Sequence, residues 1–433
     1  MNTLAQQLNE TIGRQSPRVL EMLSDLGKDM YFPKIGILSQ GAEAKQKANK
    51  YNATIGIATE NGVPMHLDVI QRTLSSYDPK DIYEYAPPAG KPELRSVWRD
   101  KMVKENPSVA GKAIGLPIVT NALTHGLSIV ADLFADRGDA VVYPDKNWEN
   151  YELTFGVRRG AKLVNFPLYD ADGRFNADGL RDALLAQKDA GKAIVILNFP
   201  NNPTGYTPDA EEGRRIVSAI KDAAEAGVNV VVVTDDAYFG LFFENSLQES
   251  LFGQLVGLHE RVLPIKVDGA TKEEYVWGFR VGFVTYGGLP EPVLAALEQK
   301  TLGIIRATIS SCAHPSQTFV LQALKSPEFE AQKRQKFEIM KARANKVKAL
   351  LDSGKFGDDL PYYSFNSGYF MCLKLAVDAE AVRQRLLNEY GVGTIALGAT
   401  DLRVAFSCTE ESDLEDLFDR IHRAVLDVKS GQA

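Results

Sequence analysis

The sequence predicts an α/β protein, with a large domain built on a mostly parallel sheet and a smaller α+β domain after it. Three observations lead there. From about residue 115 to 290, short β-branched runs alternate with helical stretches. The runs are apolar without interruption, as strands covered by helices on both faces must be. Beyond about residue 330 the order changes to a long charged helix, an extended stretch and further helices. The 433 residues are enough for two or three domains and a large core. The organisation expected is an N-terminal arm and the start of the small domain over 1–50, a large domain over 51–325 and a small C-terminal domain over 326–433.

Residues 1 to about 35 read as a partly polar helical arm that packs on a partner subunit or on the small domain. Residues 50–64 (KYNATIGIATENGVP) read as an ordered loop. Pro92 opens a helix that carries Leu94, Trp98 and Met102 at helical spacing. Residues 117–127 read as strand, tight turn and helix. Strands follow at 140–144, 162–167, 193–200, 229–239 and 262–267, with helices such as 176–190 and 209–227 between them. The last part holds a strand pair around SFNSGYFMCLKL, a helix, the strand LRVAFS at 402–407 and a closing helix. No internal repeat or low-complexity tract interrupts this order.

Composition narrows the functional classes. Lys and Arg number 49 against 56 Asp and Glu, a net charge of -7, which argues against a nucleic-acid-binding surface. Cys312, Cys372 and Cys408 are scattered and lack CxxC spacing, so neither a disulfide framework nor a metal site is expected, and a reducing compartment suits them. The polar N-terminus has no apolar core run, and no stretch reaches the length of an apolar membrane-spanning helix. A soluble cytoplasmic protein without a membrane partner is the expectation.

Lys272 is followed by Gly278, Arg280 and Gly282, and the second glycine opens an apolar strand. This spacing suits a lysine amine that condenses with an aldehyde while a nearby guanidinium holds the attached phosphate, which is the chemistry of pyridoxal phosphate. Other pieces of such a site follow the same order of strands. The strand AIVILN ends shortly before Asn202, Pro203, Thr204 and Gly205, and ligands of parallel sheets bind at the carboxyl ends of strands. A Pro/Gly turn explains NPTG by itself; in a site, the Asn202 amide would donate to the cofactor's 3-hydroxyl oxygen. The next strand ends in Asp235, Asp236 and Tyr238. A carboxylate at Asp235 would keep the pyridine nitrogen protonated, and Tyr238 would share the 3-hydroxyl with Asn202. Simple exposure at the strand mouth is the plainer alternative for each residue alone. Ala122, Leu123 and Thr124 lie where a helix begins, and their backbone N–H groups suit a phosphate, with the Thr124 hydroxyl as a further donor. Trp148 follows a strand end and suits stacking on a planar ring, whereas Trp98 and Trp277 read as core.

These pieces, in this order, resemble the class I/II aminotransferases of the pyridoxal phosphate fold type I, over most of the chain from about residue 50. The motifs that carry the resemblance are NPTG, DxxY, K-x5-G-x-R-x-G and the late LRVAF strand. The resemblance implies a seven-stranded-type large-domain sheet. It makes Lys272 the Schiff-base lysine, Arg280 the phosphate arginine and Asp235 the partner of the pyridine nitrogen. Arg403 matches an arginine that pairs with the substrate α-carboxylate, a task suited to the planar guanidinium. Gly56 matches a glycine whose backbone approaches that carboxylate, and Phe370 an aromatic that lines the substrate pocket. Tyr85 matches a tyrosine that reaches the neighbouring subunit's phosphate, which implies a homodimer with shared sites.

The aspartate aminotransferase branch resembles it best, through Trp148 in W-x-N and the segment around Arg306. In that branch an arginine crosses the dimer interface to the substrate's side-chain carboxylate, and Arg306 matches it. Two positions depart from the family pattern: Gly269 stands where a phosphate-binding serine is usual, and Ala122-Leu123 where glycines are frequent. The implied activity is transamination between an Asp- or Glu-type amino acid and a 2-oxo acid such as 2-oxoglutarate. An aromatic or neutral amino-acid aminotransferase, a β-lyase, or a cofactor-binding regulator would share the fold.

Overall fold

The large domain forms around seven strands: β1 Ile118–Asn121, β2 Ala140–Pro144, β3 Lys162–Phe166, β4 Lys192–Asn198, β5 Asn229–Asp235, β6 Val262–Gly269 and β7 Val281–Tyr286. The structure is a computed structural model and describes residues 2–15, 20, 23, 25–30 and 36–431. The strand order is β1-β7-β6-β5-β4-β2-β3. β7 runs antiparallel to β1 and β6, and the remaining pairings are parallel.

Strand alternation explains the uninterrupted apolar runs. Val231 and Val233 of β5 face one core with Ile194 and Ile196 of β4, while Val230, Val232, Ala193 and Val195 face a second core on the other side. The Ala210–Glu225 helix covers the second core with Ile216, Ala219, Ile220 and Ala223. Its start is set by a capping box between Asp209 and Glu212. The Ala122–Phe134 helix covers the first core with Leu127, Ile129 and Val130.

Register brings the functional strand ends to one edge. Asn198 pairs with Asp235, and Asp235 with Val267. Gly269 pairs with Gly282, and Asn121 with Val281. The start of antiparallel β7 therefore lies beside the ends of β1 and β6.

The smaller sheet contains β8 Phe370–Lys374, β9 Ile395–Leu397 and β10 Asp401–Ala405, in the order β8-β10-β9, all antiparallel. Residues Tyr51–Asn52 pair in parallel with Val392–Gly393, so an early segment joins a late one. The expected arm over residues 1–35 is described as helices Thr3–Gln15 and Asp25–Asp29, and most of its remainder lies outside the described residues.

The segment SFNSGYFMCLKL holds one regular strand rather than a pair. Asn366 and Ser367 donate their backbone N–H groups to the Gly205 carbonyl at 2.9 Å, and Gly368 donates to Leu241 at 2.9 Å. Those donors are taken up by the large domain, so no second ladder forms. LRVAFS likewise stops as a strand at Ala405 and turns into a 3₁₀ helix, Phe406–Cys408.

Candidate active site

A cavity of about 440 Å³ opens at this common strand edge. Gly56, Leu123, Thr124, Trp148, Asn202, Asp235, Tyr238, Lys272, Phe370 and Arg403, all predicted from sequence, line it. Asp235 ends β5, Asn202 follows β4, and Lys272 lies just past β6 on the short Ala270–Glu273 helix. Arg403 comes from β10 of the smaller sheet, so both sheets contribute.

Asp235 is buried at 3% exposure. Its Oδ2 accepts a hydrogen bond from the Tyr151 hydroxyl at 2.6 Å, while its Oδ1 is buried with no hydrogen-bond partner among the described residues. An unpaired carboxylate oxygen in such a place is expensive unless a cation or donor meets it. Burial pushes the Asp235 carboxyl up to about 6, against the Tyr151 hydrogen bond and the Lys272 charge. Burial brings the Lys272 amine down to about 8; Asp235 opposes this and Arg280 adds to it. A lysine tuned so far below its ordinary value can be a nucleophile and a proton carrier near neutral pH. Its Nζ lies 4.9 Å from the Tyr238 ring centre.

Arg403 is fully enclosed. Its Nη1 donates to Asn202 Oδ1 at 2.8 Å and its Nη2 to the Thr54 carbonyl at 3.0 Å, with the Phe370 ring 4.3 Å from its Cζ. Asn202 thus spends its carbonyl oxygen on Arg403, which leaves its amide N–H groups for another acceptor. Arg403 Nε has no partner among the described residues. A Cβ added to Gly56 would lie 3.4 Å from Phe370 Cζ and 3.6 Å from Tyr238 Oη, so this loop runs close over both rings.

The turn at Ala122–Thr124 is shaped by β7. A Cβ on Gly282 would lie 2.6 Å from the Ala122 carbonyl carbon and 2.9 Å from Leu123 N. Only glycine lets the helix start settle there. Ala122 itself sits at φ 63 and Arg280 at φ 56, left-handed conformations that cost a non-glycine residue about 1–3 kcal/mol each. Gly269, where the resemblance led to a serine, packs a would-be Cβ 2.7 Å from Gly282 Cα and from the Val281 carbonyl oxygen. The two glycines let β6 and β7 approach, and a serine there would require the strands to part. Thr271 nearby is buried with an unpartnered Oγ1.

Four predicted residues do not line the cavity. Ala122 is buried, and Arg280 donates from Nη1 to the Trp277 carbonyl at 3.0 Å. Tyr85 is 94% exposed, and Arg306 is exposed with Nη1 donating to Ser310 Oγ at 2.5 Å.

Sequence reasoning missed Tyr151 and Asn198. Asn198 Nδ2 donates to the Asp235 carbonyl at 2.8 Å and its Oδ1 accepts from Asn202 N at 2.9 Å, so it ties the ends of β4 and β5 together. A polar residue closing an apolar strand was a usable signal; nothing local marks Tyr151. The second carboxylate, Asp236, turns to the other side and pairs with buried Lys266, which also contacts Asp268 at 3.2 Å. Glu273 and Glu274, the two carboxylates that directly follow Lys272, are buried. Lys333 lies 3.1 Å from each, and Lys101 contacts both. This cluster grips the turn that carries Lys272.

The family model for aminotransferase class I and II matches residues 58–421. The chain belongs to that family. It is 26% identical over 355 residues to a probable aspartate/prephenate aminotransferase of Aquifex aeolicus, spanning 80% of this chain and 84% of that one. An aminotransferase structure from Anaerococcus prevotii superposes with a TM-score of 0.83 at 21% identity, over 93% of this chain and 99% of that one. An aromatic aminotransferase from Pyrococcus horikoshii gives 0.73 at 19% identity, over 90% and 99%. The protein is a transaminase of the fold type I architecture, and its cofactor is pyridoxal 5′-phosphate. The residues present suit that group: an unpaired carboxylate oxygen on Asp235 for a ring N–H, and a helix start at Leu123 and Thr124 for a phosphate. Among the described residues no helix is long and apolar enough to cross a membrane.

Proposed function

We propose that this aminotransferase acts on dicarboxylic amino acids of the Asp or Glu type, with a 2-oxo acid such as 2-oxoglutarate as the acceptor. The observation that carries the reaction is the convergence of Lys272, Asp235 and Arg403 on one cavity. Bound pyridoxal phosphate supplies an electrophilic carbon and a ring that accepts electron density. In this reading the Lys272 amine would hold the cofactor, and its Nζ would serve as the group that takes and returns a proton at the substrate Cα. Its lowered basicity, about 8, suits that shuttle. Asp235 keeps the ring nitrogen protonated. Tyr238 and Asn202 would donate to the ring oxygen, and Trp148, which lines the same cavity, would stack on the ring.

Ala122, Leu123, Thr124 and Arg280 hold the phosphate. Arg403 takes the substrate α-carboxylate, between Gly56 and Phe370. The protein acts as a homodimer in a reducing cytoplasm, with Tyr85 reaching the phosphate and Arg306 the side-chain carboxylate in a second copy's site. The exposure of Tyr85 and Arg306 on this chain supports such a contribution. The dicarboxylate preference is further supported by the name of the Aquifex aeolicus relative.

A half-reaction screen tests the reading. Holoenzyme is mixed with single amino acids while the cofactor absorbance is followed. Aspartate and glutamate should react fastest. If no amino acid changes the spectrum, transamination itself is wrong for this chain. Faster reaction with phenylalanine than with aspartate, undisturbed by Arg306→Ala, would replace the dicarboxylate reading with an aromatic or neutral amino-acid one.

A further inference from the structure

One wall of the cavity comes from a segment that no motif touches. Ile37, Gly41 and Lys45 of the Ile37–Lys47 helix all line it. They are spaced by four, so they form one stripe of that helix. The stripe is apolar at its start and cationic at its end.

The helix is fixed in place by bonds on its other sides. Ile37 N donates to Glu149 Oε1 at 3.0 Å, beside Trp148. A Cβ on Gly36 would lie 2.4 Å from Glu149 Oε2, so the approach is as close as the backbone allows. Gln40 exchanges two hydrogen bonds with Ala396, at 3.0 and 2.7 Å. The helix therefore bridges the two parts of the protein and forms a defined wall.

Its charged groups are not equivalent. Glu43 pairs with Lys47 at 2.9 Å and with Arg383 at 3.0 Å. Lys45 makes no ion pair or hydrogen bond among the described residues, is exposed, and lines the cavity. The sole carboxylate among the lining residues is Asp235, which Tyr151 already engages. Among the described residues no anion of this wall occupies the ammonium.

We propose that Lys45 is a specificity-determining residue that takes the distal carboxylate of a dicarboxylic substrate, in the same chain whose Arg403 takes the α-carboxylate. This rests on the dicarboxylate reading above. The chemistry suits it: an ammonium on a flexible four-carbon stem is a movable point charge that accepts acids of different lengths. Exposed before substrate arrives, it carries no desolvation penalty until it has a partner. Arg306 of a second copy would share that distal carboxylate from across the interface, whereas Lys45 is already at the cavity of its own chain.

The test uses holoenzyme and measures binding of succinate and of butyrate, a di- and a monocarboxylate of equal chain length, by calorimetry. Lys45→Ala should weaken succinate about tenfold, roughly the value of one charge-assisted hydrogen bond, and butyrate less than about twofold. Lys45→Arg should restore succinate binding. Lys45→Glu should move the half-reaction preference toward cationic donors such as ornithine. Equal weakening of both acids in Lys45→Ala would make the residue part of the wall only and overturn the proposal. Unchanged succinate binding in Lys45→Ala, with loss in Arg306→Ala, would also overturn it while leaving the dicarboxylate reading intact. Wild-type protein that binds succinate no better than butyrate would remove the dicarboxylate reading and this proposal together.

Discussion

Replacing Asp235 by Asn should stabilise the cofactor-free protein at neutral pH while removing its function. Burial raises the Asp235 carboxyl from 3.8 to about 6, so the folded state holds a proton that the unfolded state releases. A raised pKa gives stability that is complete below the unfolded value of 3.8 and is lost as pH rises through about 6. That difference corresponds to about 3 kcal/mol lost by pH 8, of which about half is already gone at pH 5. The uncharged Asn side chain keeps an acceptor for Tyr151 and has no such dependence. The variant should therefore gain about 1.5 kcal/mol on wild type between pH 5 and pH 8. Urea unfolding of both proteins, freed of cofactor and at one protein concentration, measures this difference. With saturating pyridoxal phosphate the order should reverse, because only the carboxylate can pair with a protonated ring nitrogen. A wild-type-to-variant difference that stays constant with pH, or no reversal on adding cofactor, would refute the assignment of Asp235 as the buried, unpaired acid of this site.

Lys272→Ala should abolish covalent retention of the cofactor after borohydride reduction, read by mass spectrometry, and slow transamination by about 10³-fold or more. Gly282→Ala pushes a methyl group to 2.6 Å from the Ala122 carbonyl carbon. It should cost about 1–3 kcal/mol of stability and weaken pyridoxal phosphate far more than unphosphorylated pyridoxal, measured by equilibrium dialysis. Lys333→Ala leaves the buried Glu273 and Glu274 to Lys101 alone and should destabilise by about 3–5 kcal/mol, visible as a lowered thermal midpoint.

Much of this protein is written in local chemistry. Apolar runs of strand length mark β4, β5 and β6, and what stands at or just past their ends marks Asn202, Asp235 and Lys272. A parallel sheet collects those ends at one edge whatever its exact register, so their order along the chain is enough to place them together. Arg403 was accessible for a different reason, since its motif is short and its family role is tied to one strand.

The remainder depends on contacts between distant segments. Asp235 and Asp236 are adjacent and chemically alike, yet opposite strand faces send one to the cavity and the other to Lys266. Gly269 looks like a missing phosphate ligand until its pairing with Gly282 shows that β6 and β7 leave no room for a side chain. Glu273 and Glu274 look solvated until Lys101 and Lys333 arrive from two other helices. Tyr151 reaches Asp235 across 84 residues, and Lys45 reaches the cavity because Gln40 and Glu149 anchor its helix there. Sequence by itself determined which chemistry stands at each strand end, because that is set by residues close along the chain. The tertiary structure alone decided which side each charge faces and what neutralises it, because burial and Coulomb interaction depend on distance in space.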